Sequence, residues 1–272
     1  MTHFICRQCA TQYADSAAPP QSCPVCTDDR QYVRWAGQAW TTLDDLRQSH
    51  RLKVADEGAG ITGFGMEPAF AINQRALLLQ SPAGNVLWDC MALLNDTVVD
   101  EIRARGGLTA IAISHPHYYS TMIEWSDAFG GVPIHIHEAE RDWVRRPGKA
   151  VTFWSGETLK LNPEMTLIRC GGHFPGGQVL HWSGAPGGKG ALMVGDILQV
   201  VPTRRHVSFM YSYPNLIPLD APTVKAIVAR VEPFAFDDIY GAWWDLAIRG
   251  GAKECVARSL TRYLGAIGAG GR

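Results

Sequence analysis

Ile111-Ala112-Ile113-Ser114-His115-Pro116-His117-Tyr118-Tyr119-Ser120 is a short apolar run that ends in two histidines spaced two apart. An uncharged run rich in isoleucine reads as a buried strand, and on extended backbone residues i and i+2 point the same way. Both imidazoles therefore leave one rigid strand end together, where a scaffold can present them to a metal ion. The spacing alone is weak, since His135-Ile136-His137 repeats it, there to cap a strand or to pack behind the site. Two later stretches give His115 and His117 company. Gly171-Gly172-His173-Phe174-Pro175-Gly176-Gly177 sets a histidine in a glycine-rich loop, and Val194-Gly195-Asp196 ends another apolar strand on a carboxylate.

Outward from these motifs, the chain from residue 58 onward reads as β-rich runs broken by glycine. Strands are expected at Ala69-Phe70-Ala71-Ile72, at residues 76–80 and 86–88 around a hairpin turn Ser81-Pro82-Ala83-Gly84-Asn85, and at 108–114, 132–137, 166–169, 178–182 and 191–194. Helices are expected at 96–105, 120–129, 221–231 and 252–264. Strand pairs interspersed with helices predict an α/β protein of two sheets packed face to face with helices outside.

The order of these features, from residue 58 to about 250, resembles the metallo-β-lactamase fold superfamily: Trp88-Asp89 after the hairpins, the strand-ending histidines, the Gly172-His173-Phe174-Pro175-Gly176 loop, and Gly195-Asp196. The resemblance implies an αββα sandwich. The family motif is HxHxDH; His115 and His117 match its first two histidines, and Tyr119 and Ser120 replace the Asp and the third His. His173 matches the next ligand and Asp196 the bridging carboxylate, while the family's last histidine falls near residues 239–244, which contain none. The ligands of the first metal position are thus kept and those of the second are lost, which implies a single Zn, Fe or Mn ion on His115, His117, His173 and Asp196.

The same resemblance implies a metal-dependent hydrolase acting on a small ester, thioester or lactone through metal-bound water. Asp196 would serve that water, and Tyr119, in place of the missing Asp, would be a phenolic donor to an oxyanion. The alternative is a catalytically reduced binding or regulatory protein of the same fold, in which the N-terminal segment docks a partner.

That segment carries the most specific pattern in the chain. Cys6 and Cys9, then Cys23 and Cys26, form two C-x2-C knuckles, and Cys90, Cys170 and Cys255 lie singly elsewhere. Each knuckle aims two sulfurs at one centre, so the quartet reads as a tetrahedral structural zinc site. The stretch is similar to zinc ribbons and to the rubredoxin-like module of rubrerythrins, although Ala10 and Thr27 stand where glycine is usual. Zinc is favoured over iron because nothing else in the chain suggests electron transfer. The expected organisation is a metal module at 1–38, a linking helix at 39–57 capped by Thr42, and the main domain at 58–272.

With 272 residues, 46% apolar and 19% charged, the chain can bury a proper core. Twenty-five basic and 26 acidic side chains leave a net charge of −1, so no global field recruits nucleic acid or an anionic membrane. Within the module Arg7, Arg30 and Arg34 balance Asp15, Asp28 and Asp29, and four thiolates on a divalent ion add about two negative charges, the wrong sign for a phosphate binder. No apolar run approaches the roughly 18 residues of a membrane span, and the first residues lack a signal-peptide pattern. The expected setting is cytoplasmic, the expected partner a small-molecule substrate, and the oligomeric state stays open.

Overall fold

Leu77, Leu78 and Leu79 are consecutive and all buried, so the strand that carries them must be covered on both faces. The computed structural model, which describes residues 1–58 and 60–270, shows how. A small N-terminal unit comes first, with paired strands β1 (Ile5–Cys6) and β2 (Trp40–Thr41) and the helical turn α1 (Pro24–Thr27), followed by helix α2 (Leu43–Ser49). Seven strands then form one sheet in chain order: β3 (Arg51–Gly58), β4 (Ile61–Glu67), β5 (Ala76–Leu79), β6 (Val86–Trp88), β7 (Ala110–Ala112), β8 (Ile134–His137) and β9 (Val151–Trp154). Strands β3 to β6 pair antiparallel, whereas β6 to β9 run parallel, with α3 (Asp96–Ala104) and α4 (Met122–Ala128) in the first two crossovers.

The second sheet contains β10 (Thr158–Lys160), β11 (Met165–Arg169), β12 (Gln178–Trp182) and β13 (Ala191–Gly195). Four short strands, β14 (Gln199–Val200), β15 (Val207–Ser208), β16 (Met210–Ser212) and β17 (Ile217–Pro218), lead into helix α5 (Ala221–Val231). The chain then returns to the sheet as β18 (Asp238–Gly241), parallel to β13, and β19 (Ala247–Arg249), before the last helix, α6 (Ala252–Ala266).

Period-two alternation sorts the side chains into layers. Leu77 and Leu79 face the second sheet and pack with Met165, Leu167, Leu180 and Met193. Leu78 faces the other way, with Leu87 and Ile111, onto Val98, Ile102 and Trp125 of α3 and α4. On the far side Ile168, Val179 and Leu192 pack against Val224 and Ile227 of α5 and Val256 of α6. The result is the expected αββα sandwich.

Some elements depart from expectation. Ala69-Phe70-Ala71-Ile72 is a turn, not a strand: Ala71 (φ 50°) and Asn73 (φ 61°) take left-handed backbone that breaks a pleat, and Asn73 N donates to Phe70 O at 2.8 Å. The expected linking helix is present, with the Thr42–Asp45 capping box, but it ends at Ser49, and Arg51 to Gly58 form edge strand β3, whose charged residues disguise it. Strand β4 was hidden by Gly63 and Gly65, which are there because a Cβ at Gly65 would lie 2.6 Å from the Trp244 ring. Among the described residues no helix is long and apolar enough to cross a membrane.

Candidate functional site

The four cysteine sulfurs lie within 4.8 Å of one another and all four residues are buried. Sulfurs held about 2.3 Å from one ion stand about 3.8 Å apart, and the Cys6–Cys26 and Cys9–Cys23 Sγ pairs are 3.5 Å apart. Donors aim at the sulfurs, as thiolates require: Tyr13 Oη to Cys23 Sγ at 3.0 Å, Gln38 Nε2 to Cys6 Sγ at 3.2 Å and Gln8 N to Cys6 Sγ at 3.4 Å. The residue after the first knuckle, Ala10, takes φ 64°, the conformation for which glycine is usual there. These residues fit a tetrahedral thiophilic ion.

The second cluster forms where strands of both sheets end. His115 and His117 follow β7, His173 sits in the loop after β11, and Asp196 follows β13 directly. One donor atom from each lies within 4.8 Å of the others, and His115 Nε2 is 3.4 Å from Asp196 Oδ2. The imidazole centroids are 5.0 to 5.3 Å apart. Gly195 (φ 51°) makes this convergence possible, because a Cβ there would lie 2.6 Å from Ser114 Oγ. Below the cluster Gln178 ties the sheets together, donating from Nε2 to Ile113 O at 2.7 Å and to His135 O at 3.1 Å.

Nε2 of His115, His117 and His173 and Oδ1 of Asp196 are buried without a hydrogen-bond partner. Four such atoms aimed at one point are costly unless something binds them. His173 Nδ1 lies 2.8 Å from Tyr211 O, and a carbonyl only accepts, so the proton is on Nδ1 and the Nε2 lone pair faces the cluster. Burial holds the His115 imidazole down at about 3, that of His173 at about 4, and that of His117 well below the usual range. All three are neutral at neutral pH, the form that ligates metal. Burial also pushes Asp196 up to about 6. The cluster fits a divalent ion by donor type, protonation and orphaned atoms alike.

Above the cluster lies a cleft of about 120 Å³ lined by Arg30, Gln31, Tyr32, Ile72, His117, His173, Asp196, Tyr213, Pro214 and Trp243. A larger surface cleft of about 570 Å³ around Lys53, Glu57 and Trp244 contains none of these clustered residues, so the candidate site is the smaller one. Sequence reasoning missed that the cysteine module itself walls the cleft with residues 30–32. Tyr119 is buried, but it does not line the cleft, and the charge that acts on its phenol is Glu140. Of the two neighbouring tyrosines it is Tyr118 whose ring lies against His115, at 5.2 Å between centroids, and the tyrosines that line the cleft are Tyr32 and Tyr213, the latter donating to Asp196 O at 2.9 Å. His137 caps the turn after β8, accepting at Nδ1 from Ala139 N at 3.2 Å, and stands outside both clusters, as does His135.

Glu140, on that same turn, accepts from Gly176 N in the His173 loop, and burial pushes its carboxyl up from an ordinary 4.5 to about 7. The folded state therefore holds an extra proton between these values, so stability is lost as pH rises through the window and stays lower above it, by about 3 kcal/mol. Glu140→Gln keeps the acceptor and removes the charge. Its gain over wild type should be near zero below pH 4.5 and full above pH 7. Urea unfolding at both ends of that window checks this, and an equal difference at both would reject it.

No family model matches the chain. The uncharacterized protein YmaE of Bacillus subtilis (strain 168) is 48% identical over 269 residues, which covers 98% of this chain and 97% of that one. Among solved structures the chain is similar to VMB-1 (TM-score 0.59, 12% identity, 80% of this chain and 98% of that one). It is also similar to the DIM-1 metallo-β-lactamase exposed to ceftazidime (0.56, 14%, 77% and 96%). A third is the metallo-β-lactamase SMB-1 in complex with mercaptoacetic acid (0.53, 18%, 76% and 93%). At such identities the likeness shows the fold, which is that of the metallo-β-lactamases.

Proposed function

The chain belongs to the family of Bacillus subtilis YmaE, and from that premise and its metallo-β-lactamase fold we propose that it is a metal-dependent hydrolase with a mononuclear site, acting on a small ester, thioester or lactone. The observation that carries this reading is the convergence of three neutral imidazoles and a carboxylate whose buried donor atoms have no other partner. A divalent ion held there supplies a Lewis acid and lowers the pKa of a bound water to about 7. Zinc, iron and manganese are the proposed ions at the histidines, and zinc at the cysteines.

The chain's own groups do the rest. Asp196 would hold the ion through one carboxylate oxygen, and its other oxygen would take the proton that the attacking water loses and return it to the leaving group. Ile72, Trp243 and Pro214 give the cleft an apolar wall, and its volume of about 120 Å³ suits a small acyl group. A single ion is supported by the residues at the second position: Tyr119 and Ser120 stand where the motif has its Asp and third His, and residues 239–244 hold no histidine. One ion lacks the symmetric clamp that two give a phosphodiester, which favours acyl substrates. All seven cysteines are free, and a thiolate cluster persists in a reducing compartment, so we place the protein in the cytoplasm.

The test is elemental analysis of the full chain with a panel of lactones, thioesters, esters and phosphodiesters, assayed with zinc, manganese and iron forms. One ion beyond that on the cysteines, with acyl turnover, is expected. Two ions near His115 would end the mononuclear reading, and a histidine cluster that takes up no metal would favour the binding-protein alternative.

A further inference from the structure

Gln74 is buried, and its side-chain nitrogen donates to two carbonyls that belong to different metal clusters: Cys9 O at 2.8 Å and His117 O at 3.0 Å. An amide has two such hydrogens, so both are committed. On the other flank Arg30, four residues past Cys26, donates from Nη1 to His173 O at 3.3 Å and lies 3.9 Å from the Phe174 ring centroid. Asp28 fixes the guanidinium in its plane, accepting from Nε at 2.6 Å and Nη2 at 2.8 Å. The neighbouring carbonyl, Asp29 O, accepts from Ser212 Oγ at 2.6 Å and Asn215 Nδ2 at 2.8 Å, beside Tyr211, whose carbonyl orients His173. The main chain at two of the three histidines is thus held by groups anchored on the cysteine knuckles.

We propose that the four-cysteine module is a positioning device for the histidine site, with Gln74 and Arg30 as positioning residues that hold His117 and His173 through their carbonyls. Metal on the cysteines then raises the affinity of the histidines for theirs. The reason is geometric: ligands must be kept within about 0.5 Å and 10–20° of the productive arrangement, and a histidine whose backbone is free to rotate is not. Partners outside the ligand set, when removed, cost about 10–100-fold in metal affinity. This inference rests on metal binding at the histidines, as in the proposed function, but not on hydrolysis.

Cobalt titration of the full chain tests it, because thiolate ligation gives a charge-transfer absorption that imidazole ligation lacks, so the two sites are read separately. In Gln74→Met the cysteine-site absorption and the near-UV circular dichroism should be unchanged, while cobalt binds the histidines about 10–100-fold more weakly. Arg30→Met should weaken the same site, and Arg30→Lys, which keeps a donor, should recover part of the loss. Cys26→Ser should abolish the cysteine-site absorption and weaken the histidine site as well. If Gln74→Met fails to fold, the Arg30 pair carries the test. Folded variants whose histidine site binds cobalt within about twofold of wild type, far inside the range for such partners, overturn the proposal. A wild-type histidine site that takes no cobalt overturns it together with the hydrolase reading. Tight cobalt binding without turnover on any substrate would leave it standing and remove only the hydrolase.

Discussion

Cys23→Ser is expected to release about one equivalent of zinc and to unfold the N-terminal module while the αββα sandwich stays folded. The module's own core consists of Cys6, Cys9, Tyr13, Cys23, Val25 and Cys26, with Trp40 and Trp143 packed against it, so the ligands are most of what it buries. Structural zinc supplies about 10–16 kcal/mol in domains of this kind, far more than so small an apolar cluster can offer. Serine offers a poor ligand to zinc and weakens what Tyr13 Oη now donates to at 3.0 Å. The three cores of the sandwich are built almost wholly from its own strands and helices, and of the module only Ile5 and Ala10 enter one of them, which is why the damage should centre on the module and on the cleft wall it provides. Metal analysis reads the first effect and limited proteolysis the second, with cuts expected in the first 40 residues. Unchanged zinc stoichiometry in this variant would remove the claim of a cysteine-bound ion.

The candidate metal ligands were legible in the sequence because few residue types serve and their local spacing is constrained. His115 and His117 advertise themselves at a strand end, and the knuckles at Cys6–Cys9 and Cys23–Cys26 need no tertiary information. Helix α2 was legible for a similar reason: Thr42 caps it by accepting from Asp45 N at 3.1 Å, a signal contained within four residues. What could not be read is long-range. Gln74 sits 65 residues from Cys9 and 43 from His117, and Arg30 sits 143 from His173, so no window of sequence holds both partners. Tyr119 shows the opposite failure. Its place in the motif suggested a role in the cleft, but the 3-10 turn Pro116–Tyr118 changes which side chains point inward, and Tyr118 takes the place beside His115. Period-two reasoning holds only while the backbone remains extended.

His117→Ala is expected to lower turnover by about 10³-fold or more and to remove the second metal equivalent, since metal would otherwise bring the pKa of water from about 15.7 to about 7. His117 is the informative ligand because it lines the cleft and because its Nε2 is buried without any other partner. Two imidazoles and Asp196 would remain, a set with one neutral donor fewer and hence weaker for zinc. Loss of fold does not explain the expected effect. The ring in metal-free protein carries an orphaned Nε2, so its removal relieves an unsatisfied buried group and offsets the packing lost against Phe174, whose ring centroid is 5.2 Å away. His135→Ala is the control, a histidine of the same spacing that stands outside both clusters, and it should keep its metal and its turnover within about threefold, as substitutions away from the reacting groups do. The cysteine-bound zinc should persist in both variants. Full turnover in His117→Ala would exclude the proposed hydrolytic site altogether, whereas equal losses in His117→Ala and His135→Ala would assign the histidines to structure.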